Sequence, residues 1–157
     1  MDTESFRETL AQFATGVAVV MSGVPACFRG MTINSFTSVS LTPPLVLFCA
    51  DNQAETLKAI NQSQRFTISI LSVNQEQLSQ QFALLGPQEE LFKQVDLCTG
   101  IGGVPYLADG LAFLDCALQN IVPAGDHHII VGHVDILGCL QDNPPLLYFR
   151  SQYCHLQ

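Results

Sequence analysis

The chain has 157 residues, a length that fits one domain, so residues 1–157 are predicted to form a single domain. Fourteen acidic residues against six basic ones give a formal net charge of −8 without a basic cluster, which argues against binding to nucleic acid or to anionic membranes. Only 13% of the residues are charged and 48% are hydrophobic, so a small domain of this kind is expected to bury part of its surface against a second copy, as a homodimer.

The cysteines and the apolar stretches indicate in which part of the cell the protein is located. The six cysteines are scattered singly without a CxxC pair, which favours reduced thiols. The start Met1–Glu4 is acidic and polar, unlike a signal peptide, and the charge-poor stretches 9–28 and 30–50 are broken by Gly and Pro residues. A soluble, cytoplasmic protein is therefore expected.

The first predicted element is a short helix with a capping box of Ser5 and Glu8, which Gly16 ends. Its apolar residues at helical spacing are Phe6, Leu10 and Phe13. Strands are then predicted at 17–22, 26–41 (as one strand or two), 45–50 and 65–71, and short helices at 54–60 and 74–85, the second capped by Asn74.

The remaining chain is predicted as a long loop over 86–109, followed by strands at 111–122 and 127–140. The turn Pro123-Ala124-Gly125-Asp126 joins them into a hairpin, and 146–148 forms a last strand. Because strands often follow strands without a helix between them, the sheet is predicted to be antiparallel and the fold β-rich (α+β), closed as a barrel with a few short peripheral helices.

The segment from Gly30 to Leu41 is the most informative. In a continuous strand, alternate residues share a face, which here would carry four polar side chains and one aromatic: Thr32, Asn34, Phe36, Ser38 and Ser40. So many polar side chains would be unfavourable in a barrel interior unless they formed hydrogen bonds with a ligand. A solvent-facing strand explains the same pattern equally well.

One polar segment could meet a phosphate, whereas a glycine-rich segment does not fit a nucleotide site. The segment Asp51–Thr56 leads from a strand into a helix, where backbone amides and the Thr56 hydroxyl could hold an anion, although an ordinary turn is the alternative. The run Gly100–Gly103 lacks the strand and helix that a nucleotide fingerprint requires, so a flexible loop is expected.

The histidines do not suggest a metal site. His127 and His133 would lie about 20 Å apart on one strand face, and His128 points to the opposite face from His127. His127 follows a tight turn at the mouth of a strand, where it either meets a ligand or is a half-exposed turn residue.

With these segments in hand, the chain resembles the flavin reductase-like family, the short-chain reductase components of two-component flavin monooxygenases. The resemblance begins in Phe6–Val17 and is most specific in Gly30–Leu45. Later matching segments are 66–71 with Gln75, 81–83, 125–127 with Gly132, and 145–148. The chain departs from the family in 86–92, where Glu89-Glu90-Leu91 stands in place of a typical basic residue.

The resemblance implies an FMN-binding split β-barrel of Greek-key type and a homodimer with flavin near the subunit interface. It implies that Thr32, Asn34, Ser35, Ser38 and Val39 line the flavin, with Ala50, Asp51 and Thr56 around its ribityl and phosphate part. His127 corresponds to a histidine near the nicotinamide and is the predicted catalytic residue.

The function predicted on this basis is an NAD(P)H-dependent flavin reductase. It transfers hydride from NADH or NADPH to FMN or FAD and supplies reduced flavin to an oxygenase or another acceptor. Hydride transfer to a flavin needs no acid–base pair, which agrees with the lack of a catalytic triad in the sequence. The alternative is a non-catalytic flavin- or heme-binding split-barrel module that acts as a carrier or sensor.

Overall fold

The computed structural model describes residues 2–156, which are mostly β-structure with short helices. The strands are β1 Thr15–Gly16, β2 Ala18–Val24, β3 Cys27–Ile33, β4 Thr37–Leu41, β5 Pro44–Asp51, β6 Arg65–Ile70, β7 Leu97–Thr99, β8 Pro105–Leu107, β9 Ala112–Ala124, β10 His127–Cys139, β11 Leu147–Phe149 and β12 Gln152–Cys154. The α-helices are α1 Thr3–Leu10, α2 Glu55–Ser63, α3 Glu76–Ala83 and α4 Glu89–Gln94. The predicted β-rich fold with short helices is confirmed.

The main sheet has seven antiparallel strands in the order β3-β2-β6-β9-β10-β5-β4. If it were flat, its edge strands β3 and β4 would lie about 29 Å apart. Three residues, 34–36, connect these two strands, and such a link reaches at most about 15 Å. The sheet therefore curls into a barrel that stays split between β3 and β4, with no ladder between them.

Both faces of β2 are buried, which accounts for the uninterrupted apolar run in this part of the sequence. Val20 points into the barrel and packs with Phe48, Phe66 and Ile130. Val19 points to the outside, into a second cluster that also holds Met21, Leu71, Phe82, Leu107 and Leu146. The second cluster fixes α3 and the C-terminal strands against the outer face of the barrel.

The hairpin of β9 and β10 forms as predicted, with a two-residue turn at Gly125-Asp126. Gly125 adopts a φ of +68°, a left-handed conformation that glycine tolerates without cost. The predicted gap between a strand that ends at 41 and one that starts at 45 is likewise confirmed, as the tight connection from β4 to β5.

Two predicted helix caps are wrong. Asp2, and not Ser5, caps α1, because its Oδ1 accepts a hydrogen bond from the Ser5 N–H at 2.8 Å. Ser72, and not Asn74, forms a capping box with Gln75 at the start of a 3₁₀ turn that leads into α3. In both places an alternative polar residue nearby in the sequence had the better backbone geometry.

The predicted long loop over 86–109 is also wrong in part. It contains α4, the small antiparallel pair of β7 and β8, and a 3₁₀ turn at Ile101–Gly103. These elements are too short to show a periodicity in the sequence. None of the helices described in residues 2–156 has the length and apolar character of a membrane span.

Candidate functional site

A cleft of about 710 Å³ opens beside the split of the barrel. One wall is β3 with the link that follows it, and the opposite wall is the end of β5 with the first turn of α2. The segment 84–86, which follows α3, lies along the rim, and His127 stands at the end where β10 begins. The volume is within the usual range for a small-molecule or cofactor site.

Two hydroxyl groups hold the β3 wall in place. Thr32 Oγ1 donates to the Ser79 carbonyl at 2.5 Å and so docks α3 on the outer side of β3. Ser35 Oγ accepts from the Cys49 N–H at 3.0 Å and donates to the Cys49 carbonyl at 3.3 Å. Ser35 thus ties the link after β3 to β5 across the split, where no strand ladder exists.

The far end of the cleft is built from two adjoining turns. Asp51 lies directly opposite His127 in the β5–β10 ladder, and its Oδ1 accepts from the Gln53 N–H at 2.7 Å. Asn52 bridges to the β9–β10 turn through its N–H, which donates to the Asp126 carbonyl at 3.1 Å, and through Nδ2, which donates to the Gly125 carbonyl at 3.2 Å. These bonds bring His127 beside the start of α2.

The orientation of His127 is set by its neighbour. Its Nδ1 lies 2.7 Å from Asp126 Oδ1, and this hydrogen bond holds the pKa of the Asp126 carboxyl below its ordinary value. No residue in 2–156 bonds to Nε2 of His127. Because the ring lines the cleft, Nε2 is the nitrogen that can reach a ligand.

The rim of the cleft is fixed by one buried glutamine. Gln88 Nε2 donates to the Gly30 carbonyl at 2.9 Å, and its Oε1 accepts from the Gly30 N–H at 2.8 Å. The amide therefore bonds to the free edge of β3 as a neighbouring strand would. Gly30 has no room for a side chain, because a Cβ there would lie 2.6 Å from the ring of Phe82.

Next to this contact lies the one lysine or arginine side chain that lines the cleft within residues 2–156. Arg29 Nη1 lies 3.5 Å from Glu89 Oε1 and donates to the Phe28 carbonyl at 2.9 Å. Glu55, also in the lining, bonds to Lys58 Nζ at 2.6 Å; this bond, with a smaller contribution from the charge of Arg29, holds the pKa of Glu55 below its ordinary value.

Of the nine predicted site residues, six line this one cleft: Thr32, Asn34, Ser35, Asp51, Thr56 and His127. The other three lie outside the lining. Ser38 and Val39 are exposed on β4, and Ala50 is buried in the barrel interior.

Of the two alternatives for 26–41, one strand or two, the second is correct, because the chain leaves the sheet after Ile33 and re-enters it at Thr37 on the opposite edge. The alternating face of polar residues therefore does not exist as one row. Asn34 and Ser35 instead lie at the split, between the cleft and a second groove of about 640 Å³.

Sequence reasoning missed Arg29 and Gln88. Arg29 is missed because the characteristic segment begins at Gly30 and contains only residues that follow it. Gln88 contacts Gly30 across 58 positions, and nothing local in the sequence indicates such a pairing. The Glu89-Glu90 pair stands out in the sequence, but its contact with Arg29 exists only in the folded chain.

A second polar cluster lies away from the cleft. Arg65 Nη2 bonds to Asp115 Oδ1 at 2.7 Å and to Asp135 Oδ2 at 2.9 Å, and Asp135 also bonds to His133. Burial acts to lower the pKa of Arg65, but the hydrogen bonds from its guanidinium to the two carboxylates outweigh burial and raise it.

The buried carboxylate of this cluster also holds the glycine-rich segment. Asp115 Oδ2 accepts from the Ile101 N–H at 2.5 Å, so the segment expected as a loop contains a hydrogen-bonded 3₁₀ turn at Ile101–Gly103. Among residues 2–156, no group of three or more His, Cys, Asp or Glu side chains is placed to hold a metal ion.

The family model described as flavin reductase like domain matches residues 10–157. The chain belongs to this family. The resemblance seen in the sequence is thereby confirmed, and the split barrel with its cleft is the family's fold in this chain.

Members of the flavin reductase-like family share most of this chain's length. This chain is 37% identical to the reductase component of a 4-hydroxyphenylacetate 3-monooxygenase from Thermus thermophilus; the match covers 98% of this chain and 96% of the relative. It is 34% identical to the reductase subunit HsaB of a flavin-dependent monooxygenase from Rhodococcus jostii; the match covers 100% of this chain and 80% of the relative.

A solved structure of an NADH:FAD oxidoreductase, SgcE6 from Streptomyces globisporus, in complex with NAD and FAD fragments, has a TM-score of 0.92. It is 34% identical, with 99% of this chain and 93% of that chain covered.

Proposed function

We propose that this protein is an NAD(P)H-dependent flavin reductase that uses FMN or FAD and NADH or NADPH. The observation that carries the proposal is the cleft at the split of the barrel, in a chain that matches the flavin reductase-like family over 10–157. Relatives that are named as reductase components of monooxygenases support the further proposal that an oxygenase takes up the reduced flavin.

The residues of the cleft fit a flavin. The Asn34 amide and the Thr56 hydroxyl offer hydrogen bonds to carbonyl, ribityl or phosphate oxygens, and Arg29 offers the charge that a phosphate needs. We assign Thr32, Asn34 and Ser35 to the ring system and Asp51 and Thr56 to the ribityl and phosphate part. Ser38, Val39 and Ala50 remain predicted flavin contacts without support from the cleft lining.

A bound flavin supplies the redox chemistry, accepting hydride from the nicotinamide. The protein's part is to bind and orient. Asp126 holds His127 Nδ1, so that Nε2 faces the cleft. In the neutral ring Nε2 can accept from the NH₂ of the nicotinamide's carboxamide, and in the protonated ring it can donate to the carboxamide oxygen or to a phosphate oxygen. Reaction rate then depends on how well the two molecules are positioned together.

Anaerobic titration of the protein with FMN and FAD, followed by addition of NADH or NADPH, tests the proposal. The flavin absorbance near the visible maximum should bleach within the time of a catalytic turnover, and much faster than free flavin under the same conditions. A protein that binds flavin but leaves it oxidised would be the carrier or sensor instead.

We also propose a homodimer. Large apolar side chains are exposed on α1, just after it and on β4: Phe6, Leu10, Phe13, Val39 and Leu41. Leu10 and Phe13 line the second groove, which meets the cleft at Asn34 and Ser35. Sedimentation at micromolar concentration should give twice 17.1 kDa. A monomer that binds flavin tightly would contradict an interface site.

The cytoplasm is the location we propose. Six cysteines without a disulfide in the structure support a reducing compartment.

A further inference from the structure

The cleft is acidic for a site that takes a phosphate-bearing ligand. Asp51 and Glu55 line it, and Glu89 lies at its rim, against a single lining cation, Arg29, within residues 2–156. Arg29 is largely shielded, with 23% of its side chain exposed, whereas Glu89 is 52% exposed. The guanidinium is thus held in place while its carboxylate partner faces solvent.

Carboxylate and phosphate groups compete for an arginine, because both accept hydrogen bonds from the same planar set of N–H donors. A phosphate placed on Arg29 would also lie close to the Glu89 carboxylate and be repelled by it. A phosphate on Arg29 therefore binds more weakly as long as Glu89 keeps its contact with the guanidinium.

We propose that Glu89 competes with the ligand's phosphate for Arg29 and so weakens the binding of phosphorylated flavin, but not of flavin without the phosphate. The proposal rests on the proposed flavin reductase function and names the regulation of that same site.

The position of Glu89 is set by its neighbour in the chain. Gln88 is bonded through both ends of its amide to Gly30, and Gly30 follows Arg29 directly. The two paired segments therefore run beside each other, and Glu89 is held next to Arg29. Glu90, one residue further on, points elsewhere and bonds to Lys93 Nζ at 2.6 Å in an exposed pair.

This pair of adjacent glutamates provides a matched comparison. Glu89→Gln and Glu90→Gln change the net charge equally and both lie at the start of α4. The dissociation constants of FMN and of riboflavin, which lacks the phosphate, are measured by fluorescence titration for the wild type, both variants, Arg29→Gln and the double variant Arg29→Gln/Glu89→Gln. Circular dichroism and thermal melting verify that each variant is folded.

Glu89→Gln should lower the dissociation constant of FMN about two- to fivefold, the scale of a partly exposed ion pair. Glu90→Gln should leave it unchanged, and riboflavin binding should be unchanged in both. Arg29→Gln should weaken FMN binding, and the gain from Glu89→Gln should be smaller in this background than in the wild type, because only the direct repulsion of the phosphate by Glu89 is left to relieve. The effect of Glu89→Gln should shrink at high salt.

An unchanged FMN constant in Glu89→Gln, an equal gain with riboflavin, or an equal gain in Glu90→Gln would overturn the competitor role while leaving the flavin site intact. A wild-type protein that binds neither FMN, FAD nor riboflavin would refute the proposed function itself.

Discussion

Replacing Gln88 by alanine should open the rim of the cleft. The substitution removes both hydrogen bonds to Gly30, at 2.8 and 2.9 Å, and leaves a buried N–H and a buried carbonyl without partners. Each such group costs about 1–3 kcal/mol, and because water can reach a free strand edge once the rim loosens, we expect about 2–4 kcal/mol in total.

Native-state hydrogen exchange is the direct assay. Protection of the Gly30 amide should fall by a factor of about 30 to 1,000, since about 1.4 kcal/mol corresponds to a tenfold change. If the rim opens while the barrel stays folded, the free energy of unfolding measured in urea should fall by less than the ~2–4 kcal/mol expected for the Gly30 contact. Because residues 84–86 line the cleft, FMN binding should weaken as well.

Two further variants isolate the cause. Gln80→Ala removes a glutamine that bonds only to exposed Glu76, so exchange at Gly30 should be unchanged. Gln88→Glu keeps the acceptor for the Gly30 N–H but sets a buried carboxylate oxygen against the Gly30 carbonyl, so its effect should be at least as large as that of Gln88→Ala. Unchanged Gly30 protection in Gln88→Ala, with a stability loss below about 0.5 kcal/mol, would refute the reasoning.

Three other outcomes are expected. His127→Ala should leave flavin affinity near wild type and slow flavin reduction in anaerobic stopped flow about 10- to 100-fold. His128→Ala should slow flavin reduction much less. If His127→Ala loses flavin binding, His127 contacts the flavin and not the nicotinamide. Asp115→Asn should lose about 3–5 kcal/mol in urea unfolding, because an amide can accept only one of the two hydrogen bonds that the buried carboxylate accepts; a loss below 1 kcal/mol would contradict this. The hydrogen bond from His133, followed by the contact with Arg65, holds the pKa of Asp135 below its ordinary value; its stabilisation is thus present above about pH 4 and lost below it. Asp135→Asn should therefore flatten the acid side of the stability profile, and an unchanged profile would count against the contact.

Much of the fold could be predicted because it depends on local patterns. The hairpin of β9 and β10 follows from two long apolar strands around Gly125-Asp126, and the positions of β5, α2 and β6 follow from periodicity. The family resemblance also came from the sequence, through the segment that starts at Gly30. Six of the nine predicted site residues line the cleft for the same reason: they lie in short, characteristic segments.

The tertiary structure decided what depends on distant residues. The sequence predicts strand from 26 to 41 but cannot say that the chain crosses from one edge of the sheet to the other at residues 34–36, because that depends on which strands pair. The short elements within 86–109 are stabilised by packing on the outer cluster and not by their own propensity. The contacts of Gln88 with Gly30 and of Glu89 with Arg29 join segments about sixty positions apart, and only the folded chain brings such hydrogen-bonding groups together, since no local rule relates them.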